Sequence, residues 1–428
     1  MSAKLKVGIA GLGTVGATLA ARLLSEPNNG LELTAVSARD RSKDRGFSCD
    51  GLDWYDDALG LTVADNVDIV VELIGGAEGV ARDLVTASIA NGKHVVTANK
   101  ALMATYGFEL AETAEAKNVV LAYEAAVAGG IPVIKVVREA LKWNRITSIK
   151  GILNGTCNFI LSEMKNKGAG FDETLKIAQD LGYAEADPGF DIDGVDAAQK
   201  LAILAALGFG VRPNFDVMDI QGITAVSDKD LLYASHFNSV IRLVAICAQT
   251  DDGILQWVGP CLVPNDQALA HIEGVTNAVQ IEGDMIDSVM LQGPGAGGAA
   301  TASSVLSDLN DIVCGNSQQV FARRVGELGT ITGNAGLPAC PWYLRLALVD
   351  RTGSMAKVTS ILAEHGVSIE EVVQKGPDNG DSVRPVIFIT HTVGSDNIYQ
   401  ALDALKTSDV ISDEVSIMPV LATRPARP

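Results

Sequence analysis

Gly11-Leu12-Gly13-Thr14-Val15-Gly16, close to the amino terminus, is the stretch that decides the fold. An apolar run, residues 5–10, precedes it, and a helical pattern, residues 19–24, follows it. Between a strand and a helix, such glycines permit a tight turn, close approach of the backbone to a pyrophosphate, and packing of the helix on the strand. The positive end of the helix dipole then faces the phosphates. The motif in this setting predicts a dinucleotide-binding βα turn rather than an ordinary glycine-rich turn.

Short apolar runs alternate with helical patterns through residues 1–130. This alternation predicts an α/β domain of Rossmann type, with a doubly wound parallel sheet. The expected strands cover residues 6–10, 33–37, 68–73, 94–97 and 119–123, and the clearest helices cover residues 79–91 and 106–117. Since ligands of such sheets bind at the carboxyl ends of the strands, the segments that follow the strands are the first candidates for a site.

The end of the second expected strand bears on the choice of cofactor. Its sequence, Ser37-Ala38-Arg39-Asp40-Arg41, places basic side chains where a 2′-phosphate would bind. Arg39, with Arg41 and Lys43 nearby, therefore favours NADP. Asp40 leaves NAD open, because an acidic residue at this place holds a ribose 2′-hydroxyl. A solvated basic loop is the alternative without function.

Composition excludes several classes of function. The chain has 428 residues, 47% of them hydrophobic, and a formal net charge of −19, which argues against nucleic-acid binding. No apolar run approaches the roughly 18 residues that span a bilayer, and no secretory leader pattern is present. Six scattered cysteines without a CxxC pair predict reduced thiols rather than a disulfide framework or a zinc site. We therefore expect a cytoplasmic protein without membrane or nucleic-acid partners.

The rest of the chain divides into three further parts. Residues 131–298 mix helices and strands and predict an α+β substrate and dimerisation domain, and the helical pattern that follows is expected to complete the first domain with residues 299–325. Residues 326–341 have the composition of a linker. Residues 342–428 predict a ferredoxin-like βαββαβ unit, with a hairpin turn at residues 376–381.

Asp196 and Lys200 are the most informative polar residues. They lie four positions apart in a pattern where only Gln199 and Lys200 are polar between residues 197 and 207. A helix that is apolar on nearly all sides is buried, and residues four apart share a face. Because a bare buried charge is costly, the two must pair or hold a ligand. An exposed ion pair worth roughly 0.3–0.5 kcal/mol is the alternative, and the apolar flanks disfavour it.

Three further charged residues are candidates with weaker support. Lys100 follows the strand at residues 94–97 and can bind a phosphate or polarise a carbonyl, or simply cap the strand at the surface. Glu185 lies in a carboxylate-rich turn and can bind an ammonium group, although turn chemistry alone explains it. Glu124 precedes a glycine-rich turn whose carbonyls can surround a cation, but many such loops bind nothing.

Cys157 raises a different hypothesis, a covalent acyl-enzyme dehydrogenase. A nucleophilic cysteine requires a base, usually histidine, beside it. The five histidines do not flank a shared motif with Cys157. We interpret Cys157 as structural.

With these motifs the chain resembles the homoserine dehydrogenase family over essentially its full length, and its carboxy-terminal unit resembles an ACT regulatory domain. The resemblance is specific because the motifs occur together and in order, although each is weak alone. They are residues 11–16, 72–76, 97–102, 124–132, 151–156, 181–188, 191–200 and 293–297. Two departures occur: no proline precedes Thr301-Ala302, and Thr352 and Ser354 stand where ACT domains often have proline and an aliphatic residue.

The resemblance implies NAD(P)-dependent interconversion of L-aspartate 4-semialdehyde and L-homoserine, on the route to threonine and methionine. It implies that Lys200 donates the proton to the aldehyde oxygen and that Asp196 and Glu185 hold the polar groups of the substrate. Lys100 would contact cofactor or substrate and share in proton transfer. A catalytically dead amino-acid sensor on the same scaffold is the alternative from another functional class.

Further binding sites follow from the same resemblance. Gly182 and Thr156 would lie near the nicotinamide. A monovalent cation, Na⁺ or K⁺, would be held by Glu124 and by the carbonyls of Val127, Gly129 and Ile131. A homodimer or homotetramer is expected, with L-threonine as the candidate effector of the ACT-like unit, although this unit could instead serve only in oligomer contacts.

Overall fold

The computed structural model describes residues 4–26, 30–374 and 382–421. Three sheets organise these residues in chain order. The hairpin turn predicted at residues 376–381 lies outside the described residues.

Six strands form the first sheet: β1 (Leu5–Ala10), β2 (Leu31–Ser37), β3 (Asp53–Tyr55), β4 (Ile69–Glu72), β5 (His94–Thr97) and β6 (Leu121–Ala122). All pairings are parallel, in the order β3-β2-β1-β4-β5-β6. The helices between them are α1 (Thr14–Ser25), α2 (Gly60–Val63), α3 (Val80–Ala90) and α4 (Lys100–Lys117). The predicted doubly wound sheet is confirmed, and its strand order reverses between β1 and β4, where such sheets bind ligands.

Two details of this sheet differ from the sequence prediction. The short edge strand β3 was not predicted, because its three residues, Asp53, Trp54 and Tyr55, carry no apolar alternation. Helix α4 begins at Lys100, earlier than predicted, because the side chain of Asn99 accepts the N–H of Leu102 and so caps the helix.

The second sheet is mixed and follows a connector that contains α5 (Val133–Lys135) and a π-helical turn, Val136–Ala140. Its strands are β7 (Ile146–Ile152), β8 (Asp219–Ile220), β9 (Ser239–Thr250), β10 (Gly253–Pro264), β11 (Thr276–Gly283) and β12 (Asp287–Pro294). Their order is β12-β11-β7-β9-β10-β8. The accompanying helices are α6 (Gly155–Lys167), α7 (Phe171–Asp180), α8 (Gly189–Ile192), α9 (Val195–Phe209) and α10 (Asp228–His236).

Helix α11 (Gly298–Val313) returns to the first sheet. Its buried residues Val305 and Leu309 share a hydrophobic core with Leu19 and Leu23 of α1. The chain then runs along the second sheet, where the side chain of Asn334 exchanges two hydrogen bonds with the main chain of Gln256, at 2.7 and 2.9 Å.

The third sheet is antiparallel and carries the predicted βαββαβ order. Its elements are β13 (Trp342–Val349), α12 (Ser354–Glu364), β14 (Ile369–Gln374), β15 (Val383–Thr390), α13 (Ser395–Lys406) and β16 (Ile411–Pro419). The strand order is β14-β15-β13-β16. This is the expected ferredoxin-like unit. Within the described ranges, none of the helices combines the length and apolar character that crossing a bilayer demands.

Candidate active site

In the glycine-rich turn between β1 and α1, two of the three glycines are required by sterics. Gly11 has φ = +96°, and a Cβ there would lie 2.5 Å from the carbonyl oxygen of Leu73. A Cβ on Gly16 would lie 2.0 Å from the carbonyl oxygen of Gly11, so α1 packs directly on the turn. Gly13, the N-cap of α1, has open space around it and no side-chain cap. The turn thus leaves the amino terminus of α1 accessible to an anionic group.

A basic loop follows β2 and touches this turn. The guanidinium of Arg45 donates from Nε to the carbonyl oxygen of Leu12 at 3.3 Å and from Nη1 to that of Lys43 at 2.8 Å. The carboxylate of Asp40 accepts hydrogen bonds from the main-chain N–H and the hydroxyl of Ser42, and these bonds lower its pKa. Asp40 is therefore engaged within its own loop, whereas Arg39 is exposed. Sequence reasoning did not single out Arg45, because only the folded loop brings it to Leu12.

The ends of β4 and β5 are joined by buried hydrogen bonds. The carboxylate of Glu72, fully buried, accepts the N–H groups of Ile74 and Gly75 at 2.7 and 2.9 Å and the hydroxyl of Thr97 at 2.5 Å. The amide of Asn99 donates to the carbonyl oxygen of Gly76 at 2.6 Å. These contacts fix the start of α4 and therefore the position of Lys100 at the ligand edge of the sheet.

Asp196 and Lys200 lie on one face of α9 and are both buried. Nζ of Lys200 lies 2.8 Å from Oδ2 of Asp196 and 2.7 Å from the carbonyl oxygen of Leu153. Burial lowers the pKa of Lys200, although the carboxylate of Asp196 opposes this effect. Among the described residues, Lys200 has these two acceptors. A primary ammonium has three N–H groups, so one remains for a ligand.

Asp196 also binds groups from two other elements. Its Oδ1 lies 2.7 Å from Nζ of Lys100, and its Oδ2 accepts a hydrogen bond from the amide of Asn154 at 2.8 Å. Burial alone would raise the pKa of Asp196, but the ammonium groups of Lys200 and Lys100 outweigh it and hold the pKa below its ordinary value. The structure thus brings the predicted residues Lys100, Asp196 and Lys200 together.

Asn154 and Asp191 complete this cluster. The amide of Asn154 also donates to Oδ1 of Asp191 at 2.7 Å, while its Oδ1 accepts the N–H of Cys157 and caps α6. Burial raises the pKa of Asp191, although the hydrogen bond from Asn154 opposes the shift. Both residues lie within motifs that carry the family resemblance, residues 151–156 and 191–200, but the motifs do not reveal these contacts. A side chain that caps a helix and also binds two carboxylates gives no distinctive signal in sequence.

The turn at residues 182–185 lies beside the start of α6. The hydroxyl of Thr156 donates to the carbonyl oxygen of Tyr183 at 2.8 Å, and Gly182 has φ = +75°. Glu185 is exposed, and its carbonyl oxygen accepts a hydrogen bond from the side chain of Gln179 at 3.1 Å. No contact joins the carboxylate of Glu185 to the lysine cluster within the described residues, and its role stays a prediction.

The segment after β6 contains the predicted cation ligands. The two carboxylate oxygens of Glu124 each accept one main-chain N–H at 2.9 Å, from Ile134 and Lys135. Burial, with the carboxylate of Asp308 nearby, raises the pKa of Glu124 to about 7. The carbonyl oxygen of Gly129 accepts the hydroxyl of Ser304 at 2.7 Å, and that of Ile131 accepts the N–H of Val133 at 2.8 Å.

These contacts leave acceptor capacity on two of the main-chain oxygens. A carbonyl oxygen has two lone pairs, so Gly129 and Ile131 can each accept a second interaction, and the carbonyl of Val127 belongs to the same turn. No group of three or more histidine, cysteine, aspartate or glutamate side chains suited to a metal ion occurs in residues 4–26, 30–374 and 382–421. A site built mainly from main-chain carbonyls suits a hard cation with oxygen ligands.

Cys157 lacks the properties of a nucleophile. It is fully buried in α6, and its thiol donates to the carbonyl oxygen of Asp191 at 3.1 Å. Burial raises the pKa of the Cys157 thiol well above its ordinary value, with the carboxylates of Asp191 and Asp196 adding to the shift. A thiol that stays protonated cannot attack an aldehyde. The geometry therefore disfavours the covalent alternative and supports the structural interpretation of Cys157.

Comparison with known proteins identifies the family of the chain. The family model described as homoserine dehydrogenase matches residues 132–310, that of its NAD-binding domain matches residues 11–124, and that of the ACT domain matches residues 342–408. The chain is 42% identical to homoserine dehydrogenase of Pseudomonas aeruginosa, covering 96% of this chain and 97% of that protein.

Solved structures of similar fold include the following two. The crystal structure of a homoserine dehydrogenase from Thiobacillus denitrificans superposes with a TM-score of 0.90 at 38% identity, covering 98% of each chain. A hyperthermophilic archaeal homoserine dehydrogenase in complex with NADPH has a TM-score of 0.63 at 29% identity, covering 73% of this chain and 98% of that one. The chain belongs to the homoserine dehydrogenase family of nicotinamide-dependent oxidoreductases and carries a carboxy-terminal ACT domain.

Proposed function

We propose that Lys200 protonates the aldehyde oxygen when the chain interconverts L-aspartate 4-semialdehyde and L-homoserine. The observation that carries this role is the buried ammonium of Lys200, held by Asp196 and the Leu153 carbonyl with one N–H left over. A bound nicotinamide cofactor supplies the hydride that adds to the aldehyde carbon. Lys200 then stabilises the charge that grows on the oxygen and transfers its proton there.

The surroundings of Lys200 favour proton transfer from its ammonium group. Because burial lowers its pKa, the ammonium gives up its proton more readily than a surface lysine. The carboxylate of Asp196 limits this lowering and fixes the side chain. Nζ of Lys100 lies 2.7 Å from the same carboxylate, and its side chain is partly exposed. In this proposal Lys100 contacts cofactor or substrate and shares in proton transfer. Asp196 and Glu185 are the proposed partners of the substrate's polar groups.

For the cofactor, we propose NADP in preference to NAD. The residues proposed to hold it are the turn Gly11 to Gly16, Arg39, Lys100 and Gly182, with Thr156 near the nicotinamide. The supporting observation is the basic loop after β2, in which Oδ1 of Asp40 already accepts two hydrogen bonds from Ser42. Replacing Arg39 by alanine should raise the KM for NADP about tenfold or more, since a charged hydrogen bond is worth about 1.5–3 kcal/mol. The KM for NAD should stay unchanged, and Arg22→Ala, on α1, is the matched control.

A monovalent cation, Na⁺ or K⁺, is proposed at Glu124 and the carbonyls of Val127, Gly129 and Ile131. It would order the segment that connects β6 to α5, next to the loop at Gly295, since Gly130 donates its N–H to the Pro294 carbonyl at 3.0 Å. Thermal unfolding in NaCl, KCl and a tetraalkylammonium chloride at equal ionic strength tests this. Equal midpoints in all three salts would contradict it.

The assembly and the domain division are also proposals. We assign residues 1–130 with 299–325 to cofactor binding, 131–298 to substrate binding and dimerisation, 326–341 to the linker and 342–428 to regulation. We propose a homodimer or homotetramer because two large apolar side chains, Trp143 and Met285, are 89% and 77% exposed. They lie in two turns that are joined by hydrogen bonds between Arg145 and Asp284. A sedimentation mass of a single 44.7 kDa chain would reject this assembly.

L-Threonine is the proposed effector of the ACT domain, and the cytoplasm is the proposed compartment. The six cysteines are free thiols, which suits a reducing compartment. Steady-state rates with and without millimolar threonine test the effector. Equal rates would leave the domain with a role in oligomer contacts alone.

The activity test uses both cofactors with homoserine, followed at the absorbance of the reduced nicotinamide. Wild-type protein should reduce the cofactor, and Lys200→Ala should turn over at least about 10²-fold more slowly while binding NADPH normally. The matched control is Lys150→Ala, since Lys150 is also paired with a carboxylate in the same domain, 3.3 Å from Glu282. Wild-type activity in Lys200→Ala would remove Lys200 from the mechanism. If the wild type is inactive with both cofactors, the alternative of a catalytically dead amino-acid sensor is favoured.

A further inference from the structure

The carbonyl oxygen of Leu153, which accepts a hydrogen bond from Lys200, has a second donor. The side-chain amide of Asn277, on β11, donates to the same oxygen at 2.9 Å, while Nζ of Lys200 lies at 2.7 Å. Asn277 is 1% exposed. We propose that Asn277 is a positioning residue, which holds the Leu153 carbonyl in place and through it directs the ammonium of Lys200. The inference rests on the proposed role of Lys200 as proton donor.

The fold fixes Asn277 in this place from several sides. In the ladder between β11 and β12 it pairs with Gly293. A Cβ on Gly295 would lie 2.1–2.4 Å from the amide group of Asn277, so the glycine-rich loop after β12 closes directly over it. A Cβ on Gly155 would lie 3.4 Å from its Oδ1. The side chain therefore has little freedom to leave the Leu153 carbonyl.

The consequence for Lys200 follows from the number of acceptor sites. A carbonyl oxygen has two lone pairs, and Lys200 and Asn277 use both. Leu153 immediately precedes Asn154, whose amide binds Asp191 and Asp196. The two oxygens that accept from Lys200, the Leu153 carbonyl oxygen and Oδ2 of Asp196, are therefore each held by a second hydrogen bond. This fixes the direction in which the remaining N–H of the ammonium points. A displacement of about 1 Å at such a group costs about 10²-fold in rate.

Asn277→Asp tests this inference because it changes charge and donor capacity at nearly constant shape. An ionised carboxylate at position 277 cannot donate to the Leu153 carbonyl. Its negative charge close to Lys200 favours the ammonium form and raises the pKa of Lys200. In the direction of aldehyde reduction, activity requires the protonated lysine. The alkaline limb of kcat/KM should therefore move to higher pH by about one unit, with kcat reduced about tenfold or more and the Kd for NADPH unchanged.

Asn158 provides the matched control. It is also fully buried, and its amide donates to two main-chain carbonyls, those of Ile272 and Gly274, at 3.1 and 2.9 Å. Asn158→Asp should lose comparable stability but keep the alkaline limb of the wild type. If both variants shift the limb equally, or if Asn277→Asp leaves it in place, Asn277 has only a structural role and the inference is wrong.

A smaller variant covers the case in which Asn277→Asp does not fold. Asn277→Ser removes the amide donor without adding charge, and it should lower kcat about tenfold while the KM values for both substrates change less than about threefold. An unchanged kcat would overturn the inference. Lys200→Ala, measured in parallel, separates the two proposals, because its full activity would refute the proton-donor assignment itself, whatever the Asn277 variants do.

Discussion

Oδ1 of Asp196 lies 2.7 Å from Nζ of Lys100, although the two residues belong to elements of different sheets. Lys100 is the first residue of α4, the helix that follows β5 of the parallel sheet. Asp196 lies in the first turn of α9, which packs on the mixed sheet. The other oxygen of the carboxylate accepts from Lys200. One buried carboxylate therefore joins a lysine from a helix of the parallel sheet to a lysine from a helix of the mixed sheet.

Asp196→Asn should move the alkaline limb of the pH–rate profile to lower pH and slow the reaction. The carboxylate is the main influence that raises the pKa of Lys200 against burial and against the charge of Lys100. Without it the pKa of Lys200 falls further, so the alkaline limb of aldehyde reduction moves to lower pH, opposite to the shift expected for Asn277→Asp. We expect kcat/KM to fall at least about 10²-fold, measured by steady-state kinetics across pH.

The control for this prediction is Asp180→Asn. Asp180 also forms an ion pair with a lysine four residues away, Lys176, but both side chains are exposed on α7. Such surface pairs contribute about 0–1 kcal/mol. A profile for Asp196→Asn that coincides with that of Asp180→Asn would contradict the shared role of Asp196.

Two glycines of the first turn should respond differently to alanine. A Cβ on Gly16 meets the Gly11 carbonyl at 2.0 Å, so Gly16→Ala should destabilise the free protein. A Cβ on Gly13 meets nothing within 4 Å, so Gly13→Ala should unfold like the wild type but bind NADPH more weakly, because the pyrophosphate approaches this backbone. Thermal unfolding and fluorescence titration separate the two effects. Equal NADPH affinity in Gly13→Ala and wild type would show that the phosphates bind elsewhere.

A buried ion pair between Asp230 and Arg345 joins α10 to β13 of the ACT domain. It predicts how the free energy of unfolding depends on pH in the acid range. Asp230, on α10, is fully buried and accepts Nε of Arg345 on β13 at 2.7 Å and the hydroxyl of Tyr343 at 2.9 Å. Burial alone would raise its pKa, but the bonds from Arg345 and Ser227 lower it below the ordinary value. A lowered folded-state pKa means stability that is present above the unfolded-state pKa, about 3.9, and is lost as pH falls through the folded-state value.

Asp230→Asn should therefore cost about 1.5–3 kcal/mol at neutral pH, since it removes the charge that strengthens the buried hydrogen bonds from Arg345. The difference from the wild type should shrink as pH falls below about 4, measured by denaturant unfolding at each pH. Asp409→Asn is the control, because Asp409 pairs with Lys357 at the surface of the same domain. A difference that stays constant down to pH 2 would contradict the assigned ion pair.

Thiol alkylation should leave the activity largely intact. Cys314 is exposed and Cys49 partly exposed, whereas Cys157 is fully buried with a raised pKa. Iodoacetamide should therefore label Cys314 and Cys49 first and spare Cys157. Peptide mass spectrometry locates the label while the dehydrogenase assay follows the rate. Inactivation in step with labelling of Cys157 would revive the covalent alternative.

The sequence by itself determined the class of each part of the chain. The glycines at positions 11, 13 and 16, the alternation of apolar runs and helical patterns, and the βαββαβ order are local patterns, and local patterns follow from backbone sterics and the periodicity of burial. Burial of Asp196 and Lys200 was predictable in the same way, because their helix is apolar on nearly every side.

Only the tertiary structure decided which groups meet at the site. Lys100 and Asp196 come together because the helices that carry them pack side by side, and no local pattern encodes that distance. The Leu153 carbonyl is a main-chain group that every residue carries, so its role as a shared acceptor for Lys200 and Asn277 has no sequence signal. Hydrogen bonds depend on distances and angles of tenths of an ångström and a few tens of degrees, and those are fixed only when remote segments pack together.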